Sequence, residues 1–190
     1  MRFASTPPAI LLAGIVLAGL TGCFGSDPDL VPDPEPTTTP VFASDEEALA
    51  AAEEAYAAYF FVSDSILNEG GAQPERLQTV ASNEMYELQL GGYNEARASG
   101  LRSVGQTTVD SVELQHYDAS SADGKAIVTV YACVDVTGVD LVDATGTSVV
   151  SPTRPNRTSV EATFDSDPTD PRRLLLAAEE QWGGSAVCAQ

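Results

Sequence analysis

Three regimes of hydrophobic and polar spacing follow one another along the chain. Residues 9–20 carry no charge and no amide and are mostly Leu, Ile, Val and Ala. Residues 24–42 change character: Asp27-Pro28, Asp33-Pro34, Glu35-Pro36 and Thr37-Thr38-Thr39-Pro40 leave Leu30 and Val31 as an apolar pair between the prolines. Proline at that density among like charges favours extended polyproline backbone over packed structure. From Ser44 a helical period begins. Leu49, Ala52, Tyr56, Tyr59, Ser63 and Ile66 recur at alternating steps of 3 and 4, which is one face of a helix. Ser44 and Glu47 form a capping box, and Asp45 and Glu46 suit the positive end of the helix dipole. Asn68-Glu69-Gly70-Gly71 ends that helix, a second is expected to start at Pro74, and a third runs from a Ser82 cap to a Gly100 stop. Gly91-Gly92 inside the third costs about 2 kcal/mol relative to alanine. The pair marks either a break or a close approach of another backbone.

From Val104 the period becomes two. Val112, Leu114 and His116 alternate with Glu113, Gln115 and Tyr117, and Asp123-Gly124 is a hairpin signal. In residues 125–137 Val128, Val130, Ala132, Val134 and Val136 share one face; Ile127, Thr129, Tyr131, Cys133 and Asp135 share the other. Asp140, Asp143, Gly146 and Pro152 leave residues 138–156 little room for long strands. Residues 157–165 alternate again through Val160, Ala162 and Phe164. Residues 172–182 fit either a helix capped at Asp170-Pro171 or a strand through Leu174, Leu176, Ala178 and Trp182; the neighbouring hairpins favour the strand.

Helices first and an antiparallel meander afterwards predict an α+β class. The Glu46–Tyr59 stretch, opening Glu-Glu-Ala and closing on Tyr56 and Tyr59, followed by long strands and a terminal tryptophan strand, resembles the nuclear transport factor 2-like fold. More narrowly, it is similar to uncharacterised lipoproteins of high-GC Gram-positive bacteria. The resemblance spans about residues 44–188. It implies N-terminal helices packed on a curved, cone-like antiparallel sheet. It also implies that an active member would set a carboxylate base opposite a tyrosine or acid inside the cone.

The amino terminus bears on location. Arg2 precedes the apolar run of residues 9–20, and Leu20-Thr21-Gly22-Cys23 follows it. A basic start, an apolar centre and small residues before a cut form a secretory signal pattern. A helix over the apolar run spans roughly 18 Å, short of a hydrocarbon core of about 30 Å. Leu20–Cys23 resembles the lipobox of bacterial lipoproteins. That resemblance implies diacylglyceryl transfer to the Cys23 sulfur and cleavage after Gly22. The expected organisation is a signal peptide over residues 1–22, a lipidated tether over 23–43 and a domain over 44–190. The expected location is the cell membrane, lipid-anchored and facing outside, with two acyl chains giving a stable hold.

Charge and cysteine content narrow the partners. Lys plus Arg number 9, one being Arg2, and the 28 Asp and Glu all lie after Cys23, so the chain from Cys23 onward carries 8 − 28 = −20. Such a surface repels nucleic acid and anionic headgroups. With Cys23 lipidated, Cys133 and Cys188 remain as an even pair in a disulfide-permissive compartment. His116 is the single histidine, which rules out a two-histidine zinc site. No Gly-rich phosphate loop or Gly-x-Ser-x-Gly elbow is present. Asp165-x-Asp167-x-x-Asp170 has Asp170 and Leu176 where a calcium loop wants Gly and Glu, so it reads as a solvated hairpin turn. Tyr131, Asp135 and His116 are the candidate pocket residues; no catalytic set, metal or cofactor is implied. The expected function is a non-catalytic module binding a small molecule or an envelope protein. The alternative is a cone-fold enzyme of isomerase or dehydratase type, working through a pocket carboxylate.

Overall fold

The computed structural model describes residues 39–184 and 186–189. The expected signal peptide, Cys23 and residues 24–38 of the expected tether lie outside that range. Helix α1 spans Asp45–Asn68 and opens as its sequence predicts. The Glu47 N–H donates to Ser44 Oγ at 3.3 Å, while Glu47 Oε2 accepts from the Ala43 N–H at 2.6 Å. Together they satisfy two backbone donors at the chain's entry into the helix. Pro74–Thr79 forms a 3-10 helix rather than an α-helix, with the proline in its first turn. Helix α2 spans Asn83–Ser99, capped by Ser82 Oγ accepting from the Met85 N–H at 3.2 Å and closed by Gly100 in the left-handed region. Gly91-Gly92 neither breaks α2 nor meets another backbone, for open space surrounds both. The close approach falls at Gly71 instead (φ +77°), where a Cβ would lie 2.1 Å from the Tyr93 carbonyl oxygen.

Among the described residues six strands follow: β1 Arg102–Val104, β2 Thr108–Tyr117, β3 Val128–Asp135, β4 Asp140–Val142, β5 Arg157–Asp167 and β6 Asp170–Gln181. β1 and β4 form a small antiparallel pair. The main sheet is antiparallel throughout, in the order β2-β3-β5-β6. The class is therefore α+β, with α1 lying across one face of an open sheet. The ambiguous segment before Trp182 is a strand, because β5 supplies its backbone partners from Asp167 back to Val160.

One face of the sheet and the inner face of α1 share a core. Val128, Val130 and Ala132 of β3, Ala162 and Phe164 of β5, and Leu176 of β6 are fully buried against Ala48, Ala52, Tyr56 and Ile66 of α1. Phe42 belongs to this core too, at 2% exposure, although the proline pattern placed it in the tether. Tyr117 holds it there: the Phe42 N–H donates to the Tyr117 hydroxyl at 2.8 Å, and that hydroxyl donates to the Phe42 carbonyl at 3.0 Å.

The central strands β3 and β5 pair without any register shift, but both outer strands carry bulges. In β2 an extra residue lies between Asp110 and Glu113 and another between Leu114 and His116. The second overturns the expected alternation. His116 stands opposite Thr129 on the outer face, and Tyr117 turns inward opposite Val128. In β6, Leu176 faces Phe164 whereas Ala178 faces Thr163, so Ala177 is the extra residue. That shift sends Ala178 outward and brings Glu179 opposite buried Ala162 on the inner face.

Candidate functional site

The sheet's outer face receives most of the residues singled out from the sequence. Cys133 is buried and bonded to Cys188, with Cα atoms 5.0 Å apart. This bond draws the C-terminal tail across the outer face, where Val187 is buried. Tyr131, two residues before Cys133, stacks on Trp182 at 4.2 Å between ring centroids. Asp135 sits at the far end of β3. There it accepts from the Thr137 N–H at 2.7 Å and from Arg157 at 3.0 Å, and Arg157 also grips Asp110 through both its terminal nitrogens. The Thr137 contacts, with Arg157 behind them, hold the Asp135 carboxyl below its ordinary range. His116 is exposed near the other end of the strand pair. Tyr131 and Asp135 thus share a face with His116 but form no common site. The disulfide lies between the first two, and the tail tryptophan covers the tyrosine.

The turn acids also differ from expectation. Asp165 and Asp167 are buried rather than solvated. Asp165 accepts from Lys125 Nζ at 2.7 Å and the Ala126 N–H at 2.8 Å; Asp167 pairs with Arg173 and accepts from Thr169. Each carboxylate faces its own protein partner, and no acid cluster suited to a metal occurs among the described residues.

The inner face holds the group that periodicity hides. Tyr56, fully buried, donates its hydroxyl to Glu179 Oε2. Glu179 lies on the edge strand and is exposed as a residue, but its carboxyl meets the hydroxyl of a tyrosine in the core. Burial of the carboxyl pushes its pKa up, against the smaller lowering effect of the Tyr56 hydrogen bond. Burial pushes the Tyr56 hydroxyl up as well, with the Glu179 charge adding to it. Tyr59 and Ser63 continue the line along α1. The Tyr59 hydroxyl meets Met85 Sδ at 3.9 Å, and Ser63 Oγ lies 2.9 Å from the Tyr93 hydroxyl. Burial raises the pKa of Tyr59 and of Tyr93 too. Chemically, the Glu179–Tyr56 pair sets a carboxyl of raised pKa beside a phenol, a combination able to donate a proton to an oxygen. Leu174-Leu175-Leu176 followed by Ala177-Ala178 and Glu179-Glu180 gives no alternation from which its facing could be read.

No family model and no curated protein sequence matches the chain. Among solved structures, the chain is similar to a periplasmic fragment of TraM at 21% identity, covering 73% of this chain and 96% of that one, with a TM-score of 0.45. It is also similar to a de novo designed β-sheet protein at 19% identity, covering 74% and 92%, with a TM-score of 0.31. Likenesses this loose carry no argument, so the site stands on its own residues.

Two grooves flank α1. One, of about 350 Å³, lies against the start of β6 and is bordered by Arg172 and Arg173. The other, of about 470 Å³, lies between α1 and β2. Neither is bordered by Glu179 or Tyr56. Among the described residues no helix is long and apolar enough to cross a membrane.

Proposed function

We propose that the protein is a lipoprotein anchored through Cys23 to the outer face of the cell membrane, and that its α+β domain binds a partner without turning it over. The observation that supports binding over catalysis is the filling of the interior. Val128, Val130, Ala132, Ala162, Phe164 and Leu176 are fully buried between sheet and helix, and neither groove beside α1 is bordered by them. Recognition is then left to the grooves and edges. Anchoring rests on Leu20-Thr21-Gly22-Cys23 behind the apolar run. The Cys133–Cys188 disulfide suits an oxidising compartment outside the cytoplasm. The bulges on both outer strands suit a curved, cone-like sheet of the nuclear transport factor 2 type. Mass spectrometry of the native protein tests the anchor. The expected product begins at Cys23 and carries a diacylglyceryl thioether, which Cys23→Ala abolishes. An intact precursor with an unmodified Cys23 overturns the reading.

One observation favours a second reading. Glu179 and Tyr56 are the carboxylate and tyrosine that an enzyme of the cone-fold kind would use on a carbonyl compound. A turnover lost in both Glu179→Gln and Tyr56→Phe, with the fold intact, would replace the binding module by that enzyme.

A further inference from the structure

A groove of about 480 Å³ lies in the segment between β3 and β5, bordered by no residue of α1. Arg154 and Asp140 are its charged borders, one of each sign, and Val139, Val150 and Pro152 are its apolar part. Contacts within the protein fix its walls. The Val136 N–H donates to the Asn156 carbonyl at 2.8 Å, and β4 pairs with β1. The Gly138 carbonyl packs so near Gly105 (φ +100°) that a Cβ there would lie 1.9 Å from its oxygen. Arg154 is half-buried and has no carboxylate partner, in a chain with 28 Asp and Glu against 9 Lys and Arg. Among the described residues the other arginines outside ion pairs, Arg97 and Arg102, are exposed. Arg154 Nη2 donates to the Val136 and Val139 carbonyls at 3.0 and 2.8 Å, and Nε is buried without a partner. Nη1 is unbonded and not buried. Asp140 is half-buried too, and its Oδ1 accepts from the Leu141 N–H at 2.8 Å and the Ser148 hydroxyl at 2.7 Å. Its Oδ2 is likewise unbonded and not buried. The groove thus holds a cation and an anion that pair neither with each other nor with any third charge among the described residues. Neutral hydrogen bonds orient both groups but leave both charges uncompensated.

We propose that this groove binds a zwitterion, an α-amino acid with an apolar side chain. The ligand's carboxylate meets Arg154 Nη1, its ammonium meets Asp140 Oδ2, and its side chain lies on Val139, Val150 and Pro152. A plain anion would be drawn to Arg154 but repelled by Asp140, and a plain cation the reverse. Only a ligand carrying both charges satisfies both groups. The inference rests on the binding-module reading and names the ligand class of that module.

The test titrates the full chain, in nonionic detergent, with L-leucine, with leucinamide, which lacks the carboxylate, and with N-acetyl-leucine, which lacks the ammonium. L-leucine should bind with a Kd below about 1 mM, and each blocked analogue at least about tenfold more weakly. Backbone amide resonances of residues 137–156 should shift with leucine. Asp140→Asn keeps an oxygen for Leu141 and Ser148, so the loop stays in place. It should weaken leucine by about tenfold and leave N-acetyl-leucine unchanged. Arg154→Gln should weaken leucine to a similar degree and leave leucinamide unchanged. If that variant loosens the Val136–Val139 turn and lowers the melting temperature, Asp140→Asn decides alone. Equal binding of all three compounds would reduce the effect to apolar contact and overturn the proposal. So would undiminished leucine binding in Asp140→Asn, shifts confined to the grooves beside α1, or no binding at about 10 mM. These titrations read neither the mass of the Cys23 peptide nor a turnover, so failure here is separable from failure of the anchored-module reading.

Discussion

Removing the Cys133–Cys188 bond should destabilise the domain, and the structure sets the size. The two cysteines are 55 residues apart in sequence. Closing a loop of that length restricts the unfolded chain by about 4 kcal/mol in the chain-entropy account. For a domain of this size each kcal/mol moves the midpoint by about 2–4 °C, so the full effect is a fall of about 8–16 °C. Residual structure in the unfolded chain makes this an upper bound. Cys188→Ser is the cleaner perturbation, because Cys188 is half-buried whereas Cys133 is fully buried and a serine there would bury a hydroxyl. Trp182 is the single tryptophan and stacks on Tyr131 beside the bond, so its emission reports the tail directly. Melting should be followed by circular dichroism and by tryptophan fluorescence, for the wild type with and without reductant and for the variant. The variant and the reduced wild type should melt together, well below the oxidised protein, and reductant should not shift the variant further. Midpoints within about 2 °C of the oxidised wild type would refute the entropy argument. A full complement of reactive thiols in the native protein would refute the bond itself.

Three further outcomes follow from the inner face and from the turn after α1. Glu179→Gln should stabilise the fold at about pH 8 and much less at about pH 4. The raised pKa of Glu179 means that both states carry the proton below its ordinary 4.5, and the fold loses stability as pH rises through the folded value; a pH-independent difference in melting temperature would contradict this. Gly71→Ala should cost more than about 2 kcal/mol in urea unfolding, since the left-handed backbone and the Tyr93 carbonyl both oppose a Cβ. A cost under about 0.5 kcal/mol would show that the turn relaxes. Phe164→Ala, at the centre of the core, should cost about 3–5 kcal/mol by the same measurement, and a smaller loss would mean that the surrounding side chains collapse into the space.

Local signals were legible in the sequence and long-range ones were not. The Ser44 cap, the Ser82 cap and the Gly100 stop each involve residues within a few positions of one another and occur as read, although the Glu47 carboxylate completes its box on the Ala43 N–H rather than on that of Ser44. The β3 valines were legible for a similar reason: a central strand with a clear inner and outer set has one register that buries the right side. Phe42 escaped notice because its partner, Tyr117, is 75 residues away. Asp165 read as solvated because its cation, Lys125, is 40 residues away, and Asp167 because Arg173, six residues on, faces it only once the β5–β6 hairpin has closed. Gly91-Gly92 looked informative and proved to sit on an open helix surface, where the only cost is helix propensity.

The remaining misreadings share one cause, and it bears on function. An extra residue inverts the side-chain alternation beyond it, and whether a strand accepts one depends on the strand it pairs with. Here the extra residues fall on β2 and β6, which are the two outermost strands, and none falls between β3 and β5. An outer strand lacks a full partner strand on its open side, where β6 meets only residues 80–82 at Leu176, so it can absorb an added residue that a central strand, held along both sides, would reject. The same freedom decides what each edge presents. In β6 it turns Glu179 onto Tyr56, and in β2 it turns His116 away and brings Tyr117 onto Phe42. The side chains with chemical potential in this protein therefore cluster where the two-residue period fails. Alternation located the core of the sheet, but its edges are legible only once the register is known.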